Sequence, residues 1–320
     1  MRKLGCLVAA ILAALLAGSL LLGAMLGEAT VEEDTAFVIR TGSSLTSVAN
    51  QLEEQGLISS ADGFLLHAKL FDSGDPIQAG EFALTANMSQ ADILRAFQSG
   101  DVIRRFITIP EGMPSVLVHE RLMSEELLTG EIDVPAEGSV LPDTYDFERG
   151  ENRQVVLGRM QSAMTAYLTE AWAQRGDNIA VTTPEEAVIL ASVVEKETGK
   201  PSERRMVAGL YSNRLKIGMR LQADPTIIYP ITKGRPLGRR IRRSEIDAVN
   251  DYNTYSMAGL PKGPITNPGR ESIAAVLNPA KTSALFMVAD GSGGHAFAET
   301  NAEHEANVAK WRRFRSENGI

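Results

Sequence analysis

The longest uninterrupted apolar run lies at the start of the chain. No charged residue occurs from Leu4 to Leu26. A helix crossing a bilayer needs roughly 20 apolar residues, so the run predicts a transmembrane helix over 7–27. Arg2 and Lys3 precede it, and Glu28, Glu32, Glu33 and Asp34 follow it. That asymmetry predicts a cytoplasmic N-terminus, residues 1–6, with the rest of the chain outside. The alternative is a cleaved signal peptide, whose apolar core usually spans only about 7–15 residues. Cys6 precedes the run, which argues against a lipoprotein signal.

Beyond the run the pattern shortens. Residues 35–105 read as alternating short strands and helices. Phe37–Arg40 is a strand candidate. Ser44 can cap a helix that puts Leu45, Val48, Ala49 and Leu52 on one face, with Gly56 as its stop. A second helix fits from about Ala61 to Leu70, and Phe82–Leu84 reads as a strand. Ser89 with Asp92 three residues on is a capping signature for a helix ending at Ser99-Gly100. An internal echo follows. The segment ending in Gly42 leads into a helix carrying Val48 and Leu52, and the segment ending in Gly112 leads into one carrying Val118 and Leu122, in the same register. Two related strand–turn–helix units account for this, and they put His119 on a helix face near the core.

Residues 135–150 are turn-rich. A long helix is predicted from about Gln154 to Arg175. Pro184, with Glu185 and Glu186 in the first turn, opens another that runs to Thr198 before Gly199. A further helix fits Ser202–Ile217. After it come many loop signals, then a strand at Leu285–Ala289 and a final helix at Asn301–Arg315.

The Pro184–Thr198 helix concentrates the chemical interest. With about 100° per residue and Leu190 set at zero, Val194, Ala187 and Val193 fall within about 60° of Leu190. Glu197 falls at about 340°, inside this apolar stripe, whereas Glu195 at about 140° and Lys196 at about 240° fall outside it. A carboxyl aimed at the interior must be paired, or its pKa rises and it becomes a proton donor at neutral pH. Downstream loops hold Gln222, Asp224, Tyr229, Tyr252, Asn253 and Tyr255. Tyrosines and amides in a cleft suit a carbohydrate, although ordinary loop packing explains any one of them.

Composition narrows the classes. The 320 residues are 44% hydrophobic and 22% charged, which supports sizeable cores. Net charge is −8, against a general nucleic-acid binder. One cysteine excludes an intramolecular disulfide, and four scattered histidines form no H-E-x-x-H, so no metal site is expected. Gly291–Ala296 imitates a dinucleotide fingerprint, but too little chain follows it for a second strand. No G-x-S-x-G or phosphate-loop motif is present. Residues 203–243 hold eleven Lys or Arg against Glu203 and Asp224. The run Arg235–Arg243 reads as a solvated basic face, with anionic head groups or an anionic wall polymer as the candidate partner.

Several ordered motifs carry a resemblance. They are Leu190-Ala-Ser-Val-Val-Glu-Lys-Glu-Thr198, Asn213–Thr226, Tyr252-Asn-Thr-Tyr255, Gly259–Ile265, Asn278-Pro-Ala280 and Gly294-His-Ala-Phe297. Ile109-Pro-Glu-Gly112, Glu137-Gly138 and Leu141-Pro-Asp-Thr-Tyr145 fit the same pattern. Over roughly 35–315 the chain resembles the YceG-like family of endolytic murein transglycosylases. The resemblance implies an α+β protein: one N-terminal transmembrane helix, a small LysM-like subdomain at 35–105 and a mixed α+β catalytic domain at 106–320. It implies a single-pass inner-membrane protein with its catalytic domain in the periplasm. It implies cleavage of the MurNAc-β-1,4-GlcNAc bond within glycan strands to leave 1,6-anhydro ends, with no metal or organic cofactor. The family's essential glutamate, second in the E-K-E-T motif, maps onto Glu197. Gln222, Asp224, Tyr252, Asn253 and Tyr255 of the polar loops, with His295 of the last motif, are the candidate substrate-binding set. The partners implied are glycan strands, the membrane and wall synthases. Two other readings stand beside it: a non-catalytic wall-binding scaffold, and a hydrolytic glycosidase using Asp224 or Asp143 as second carboxylate.

Overall fold

The computed structural model describes residues 11–16, 18–19, 31–71 and 74–319. The run expected to cross the membrane lies largely outside these residues. Among the described residues no helix is long and apolar enough to do so. The chain divides into two compact units, one of residues 1–105 with 146–150, the other of 106–145 with 151–320. The class is α+β, built on two-stranded sheets.

The first unit pairs β1 (Thr35–Ile39) antiparallel with β2 (Gly80–Leu84), Phe37 opposite Phe82. Helices α1 (Leu45–Glu54), α2 (Ala61–Phe71) and α3 (Gln90–Ser99) complete it. The expected caps form: Ser44 accepts from Ser47 N, and Ser89 with Asp92 makes a full capping box. Phe37, Phe64, Phe82 and Phe97 are fully buried, and the Phe97 ring lies 5.5 Å from Phe37 and 5.0 Å from Phe82. Each such burial contributes about 1.5–3 kcal/mol. Glu81 is buried on β2. Burial pushes its carboxyl up, but Arg105 and Arg149 outweigh this and hold it below the ordinary range.

β3 (Arg104–Thr108) and β4 (Thr144–Glu148) form the next two-stranded sheet. In the second unit the helices are α4 (Ser115–Met123), α5 (Arg153–Ala173), α6 (Pro184–Glu197), α7 (Arg204–Lys216), α8 (Pro225–Thr232), α9 (Arg243–Ile246), α10 (Arg270–Leu277) and α11 (Asn301–Asn318). α10 packs across both α6 and α7, and these three enclose a core of Leu190, Val194, Val207, Leu210, Ile273 and Val276. β5 (Phe286–Ala289) and β6 (His295–Ala298) form an antiparallel hairpin against α11. The internal echo is real in geometry. Gly42 and Gly112 both take left-handed φ, +83° and +71°, before helices whose Val48, Leu52, Val118 and Leu122 are buried. His119 is partly buried on α4 and its Nε2 meets the Ile132 carbonyl at 3.0 Å.

Three regions differ from the sequence reading. The stretch after Ile217 is not all loop, since it contains α8, α9 and α10. α8 has Pro225 at its start and Pro230 inside, which read as breakers, and α10 follows Pro268-Gly269 with only eight residues to show a period. β4 lies within the turn-rich 135–150 segment. The apparent dinucleotide fingerprint is the β5–β6 turn, where Gly291 and Gly293 take φ of +89° and +82° and a strand follows. A dinucleotide site needs a helix there.

Candidate active site

The site begins with the start of α6. Thr183 caps it by accepting from Glu186 N, Pro184 occupies the first turn, and the Glu186 carboxylate accepts from Thr182 N and Oγ1 at 2.6 and 2.7 Å. These contacts fix the helix phase, and the stripe Ala187, Leu190, Ala191, Val194 is sealed in the core. Glu197 ends the helix, after which Thr198 is extended. Its carboxyl therefore sits at the boundary between core and pocket.

That pocket, about 350 Å³, is lined by Glu197, Tyr211, Arg214, Gln222, Asp224, Tyr255, Met287 and His295 among others. Glu197 Oε1 is shut off from solvent and has no hydrogen-bond partner among the described residues. Burial, and secondarily the negative charge of Asp224, push the Glu197 carboxyl up to about 8, although the Tyr211 hydroxyl hydrogen-bonds it and Arg214 lies nearby. At neutral pH Glu197 therefore holds a proton. Tyr211 is itself buried, which drives its phenol well above the ordinary value and keeps it a neutral donor.

α7 supplies the floor. Arg214 is buried with Nε donating to the Leu285 carbonyl at 2.6 Å and Nη1 to Leu221 at 2.6 Å. Asn213 Nδ2 donates to the carbonyls of Thr282 and Ala284 at 2.8 and 3.1 Å. Together they dock the strand leading into β5 against the helix. On the facing side, Tyr255 donates its hydroxyl to Asp224 Oδ1 at 2.6 Å. Thr254 receives Ala223 N at 3.0 Å and meets the Thr226 hydroxyl at 2.8 Å, pinning the start of α8. Gln222 is exposed with φ of +53°, a strained backbone for a non-glycine residue that presents its side chain at the pocket.

Of the residues singled out from sequence, Glu197, Gln222, Asp224, Tyr255 and His295 share this pocket. Tyr252 does not line it; its ring packs on Tyr229, 4.9 Å between centroids. Asn253 is fully buried, and its Nδ2 reaches the carbonyls of Ile246 and Ala248 at 2.9 and 2.6 Å while its Oδ1 accepts from Tyr255 N. It shapes the loop that carries Tyr255. Asp143 lies elsewhere, accepting from Thr144 N and pairing with Arg270 at 3.1 Å.

Tyr211, Arg214 and Glu203 were missed. Arg214 lies within the Asn213–Thr226 motif, which could have marked it, whereas Tyr211 precedes that motif on the same helix and carries no local signal. Glu195 points away from Glu197, as the wheel requires, and is buried on that other side: its side chain is 7% exposed. Its Oε2 accepts from Gly269 N, at the start of α10, at 3.0 Å, and Oε1 lies 3.9 Å from Arg204, which also meets Glu111 at 3.0 Å. Among the described residues no cluster of three or more His, Cys, Asp or Glu is arranged to hold a metal.

A larger cavity of about 660 Å³ lies on α5 and α6, walled by Met164, Leu168, Trp172, Val188 and Pro264. Of its two acids, Glu137 and Glu185, the first is engaged by Ser115 N at 2.8 Å and by Tyr229. The basic run is partly neutralised: Arg235 pairs with Glu120, Arg239 with Glu245 and Arg243 with Asp247.

Comparison with known proteins agrees with this architecture. An endolytic murein transglycosylase of Bacillus subtilis (strain 168) is 27% identical over 95% of this chain and 92% of its own length. Another, of Streptococcus pneumoniae (strain D39), is 28% identical over 85% of this chain, which spans only 57% of that protein. A solved YceG-like protein of Listeria monocytogenes has the same fold, with a TM-score of 0.53 over 86% of this chain and 98% of its own, at 24% identity. The YceG-like family model matches residues 37–310, so the chain belongs to the YceG-like family.

Proposed function

We propose that this protein is an endolytic peptidoglycan transglycosylase and that Glu197 is its catalytic acid and base. The observation that carries the reading is the placement of the Glu197 carboxyl, buried at the edge of a polar pocket, where burial pushes it up to about 8. A general acid works best with a pKa near the operating pH. Relatives that match 85–95% of this chain bear the same activity in their names.

The chemistry needs one carboxyl group. Glu197 gives its proton to the glycosidic oxygen as the bond to the anomeric carbon of N-acetylmuramic acid breaks. Its carboxylate then takes the proton of the muramoyl 6-hydroxyl as that oxygen closes onto the anomeric carbon. The products are a 1,6-anhydro end and a free N-acetylglucosamine 4-hydroxyl, with no water consumed. Burial makes the proton available, and the Tyr211 donor and Arg214 cation stabilise the carboxylate once formed.

Asp224 in the same pocket favours one alternative, a hydrolase in which Asp224 activates water, since hydrolytic glycosidases normally use two carboxylates. Digesting purified glycan strands and weighing the products separates the readings. Anhydro ends support the transglycosylase, reducing ends the hydrolase, and no cleavage a binding scaffold. The apolar N-terminal run supports a single-pass inner-membrane anchor with the catalytic part in the periplasm. The small first unit, with its paired strands and capped helices, supports a LysM-like role on nascent strands, consistent with termination of their elongation beside wall synthases.

A further inference from the structure

His295 and Glu203 form a device that the glycosidic chemistry above does not use. His295 begins β6 and lines the Glu197 pocket. Glu203 lies in the short 3-10 turn between α6 and α7. Its two oxygens take two points on one residue: Oε2 lies 2.9 Å from His295 Nδ1, and Oε1 accepts from His295 N at 3.2 Å. Burial pushes the Glu203 carboxyl up, but the His295 contacts and Lys200, at 3.4 Å, outweigh it and hold the carboxyl below the ordinary range. It is therefore an ionised, acceptor-only group, and Nδ1 must carry the hydrogen between them. Nε2 makes no hydrogen bond among the described residues.

The neighbouring backbone is built around this contact. A Cβ at Gly294 would collide with Glu203 Oε1 and lie 2.8 Å from Lys200 Nζ. Only glycine lets the carboxylate approach. The turn before it is closed by Asp290, which accepts from Ser292 N at 2.8 Å and Gly294 N at 3.3 Å.

We propose that Glu203 is a positioning residue that locks His295 as its Nδ1–H tautomer, so that Nε2 offers a bare acceptor to an O–H or N–H donor of the glycan in the Glu197 pocket. This rests on the transglycosylase reading for the identity of the ligand. A neutral imidazole whose other nitrogen is held by a carboxylate keeps one orientation and one hydrogen-bonding role. The hairpin carrying Met287, Val288 and Ala289, which also line the pocket, is held by the same contact.

The test uses the full chain with 15N-labelled histidine. Long-range proton–nitrogen spectra separate the two tautomers, and only four histidines need assignment. His295 is expected as Nδ1–H, with Nε2 shifting when uncrosslinked glycan strands are added. His295→Asn keeps a donor near the Nδ1 position and removes the acceptor. It should raise KM for strand cleavage roughly 3- to 10-fold, the worth of one neutral hydrogen bond, with kcat and melting temperature nearly unchanged. Glu203→Gln should mix the tautomers and raise KM similarly, and the double variant should be no worse than His295→Asn alone. Glu203→Asp should recover part of the loss. An Nε2–H tautomer or a doubly protonated ring in the wild type, or unchanged KM in both single variants, overturns the proposal. The spectra require no turnover. A shifting Nε2 without cleavage keeps the dyad and removes the reaction assignment; cleavage with an unmoved Nε2 does the opposite.

Discussion

Replacing Glu197 with Gln should inactivate the enzyme and stabilise it in the same stroke. The carboxyl rises from 4.5 to about 8 on folding. The folded state thus prefers the protonated form. Its contribution to stability is intact below pH 4.5 and is lost progressively as pH climbs through 8, because the unfolded chain ionises first. At about 1.36 kcal/mol per unit, the interval from 4.5 to 7 costs the wild type about 3 kcal/mol at pH 7. Above pH 8 the whole interval acts, about 5 kcal/mol. Glutamine is neutral throughout and keeps the shape. Glu197→Gln should match wild type at pH 4, exceed it by about 3 kcal/mol at pH 7 and by more at pH 9. Both tryptophans, Trp172 and Trp311, belong to the second unit, so their fluorescence during urea unfolding reads the right part of the chain. Anhydro-end formation should fall at least 10²- to 10⁴-fold, roughly the usual worth of one acid–base group. A stability difference that is flat in pH, or a Glu197→Gln variant that still cuts glycan, would refute the reasoning.

Four further outcomes follow from the same geometry. Asp224→Asn removes a charge that raises the Glu197 pKa, so the alkaline limb of the pH–rate profile should move to lower pH; an unmoved limb would detach Asp224 from Glu197. Glu195→Gln removes a buried carboxylate near Arg204, which keeps Glu111 as its nearer partner, and weakens the tie to Gly269, so it should destabilise by about 1–3 kcal/mol while retaining far more activity than Glu197→Gln, as melting curves and rates on strands will show. Arg240→Ser with Arg242→Ser should reduce sedimentation with anionic vesicles, most at low salt; equal sedimentation would mark the run as a solvated loop. A reporter enzyme active only outside the cytoplasm should work when fused after Ile320, and a silent fusion would count against the proposed topology.

Much of this was written locally. Helix phase depends on residues three and four apart, so the apolar stripe of α6 alone aimed Glu197 inward and Glu195 away. Caps at Ser44, Ser89 and Thr183 and the left-handed Gly42 and Gly112 are likewise contacts within a few residues. The E-K-E-T and Y-N-T-Y motifs marked where polar residues cluster, and Gln222, Asp224, Tyr255 and His295 do meet.

The remainder required the chain to come back on itself. Whether an inward carboxyl is paired or protonated depends on what covers it, and the cover is Tyr211 and Arg214 from α7 with Asp224 beyond it. Asn253 and Tyr252 carry side chains as suitable for sugar as those of Gln222 and Tyr255. Only the path of the loop turned Asn253 onto its own backbone and Tyr252 onto Tyr229. Glu195 shows the limit most plainly: residue spacing told which way it points, but not that Gly269 N, 74 positions along the chain, would be waiting there to bury it. Direction is a property of the helix, whereas burial, pairing and pKa belong to contacts between elements far apart in sequence, and those only the tertiary fold decides.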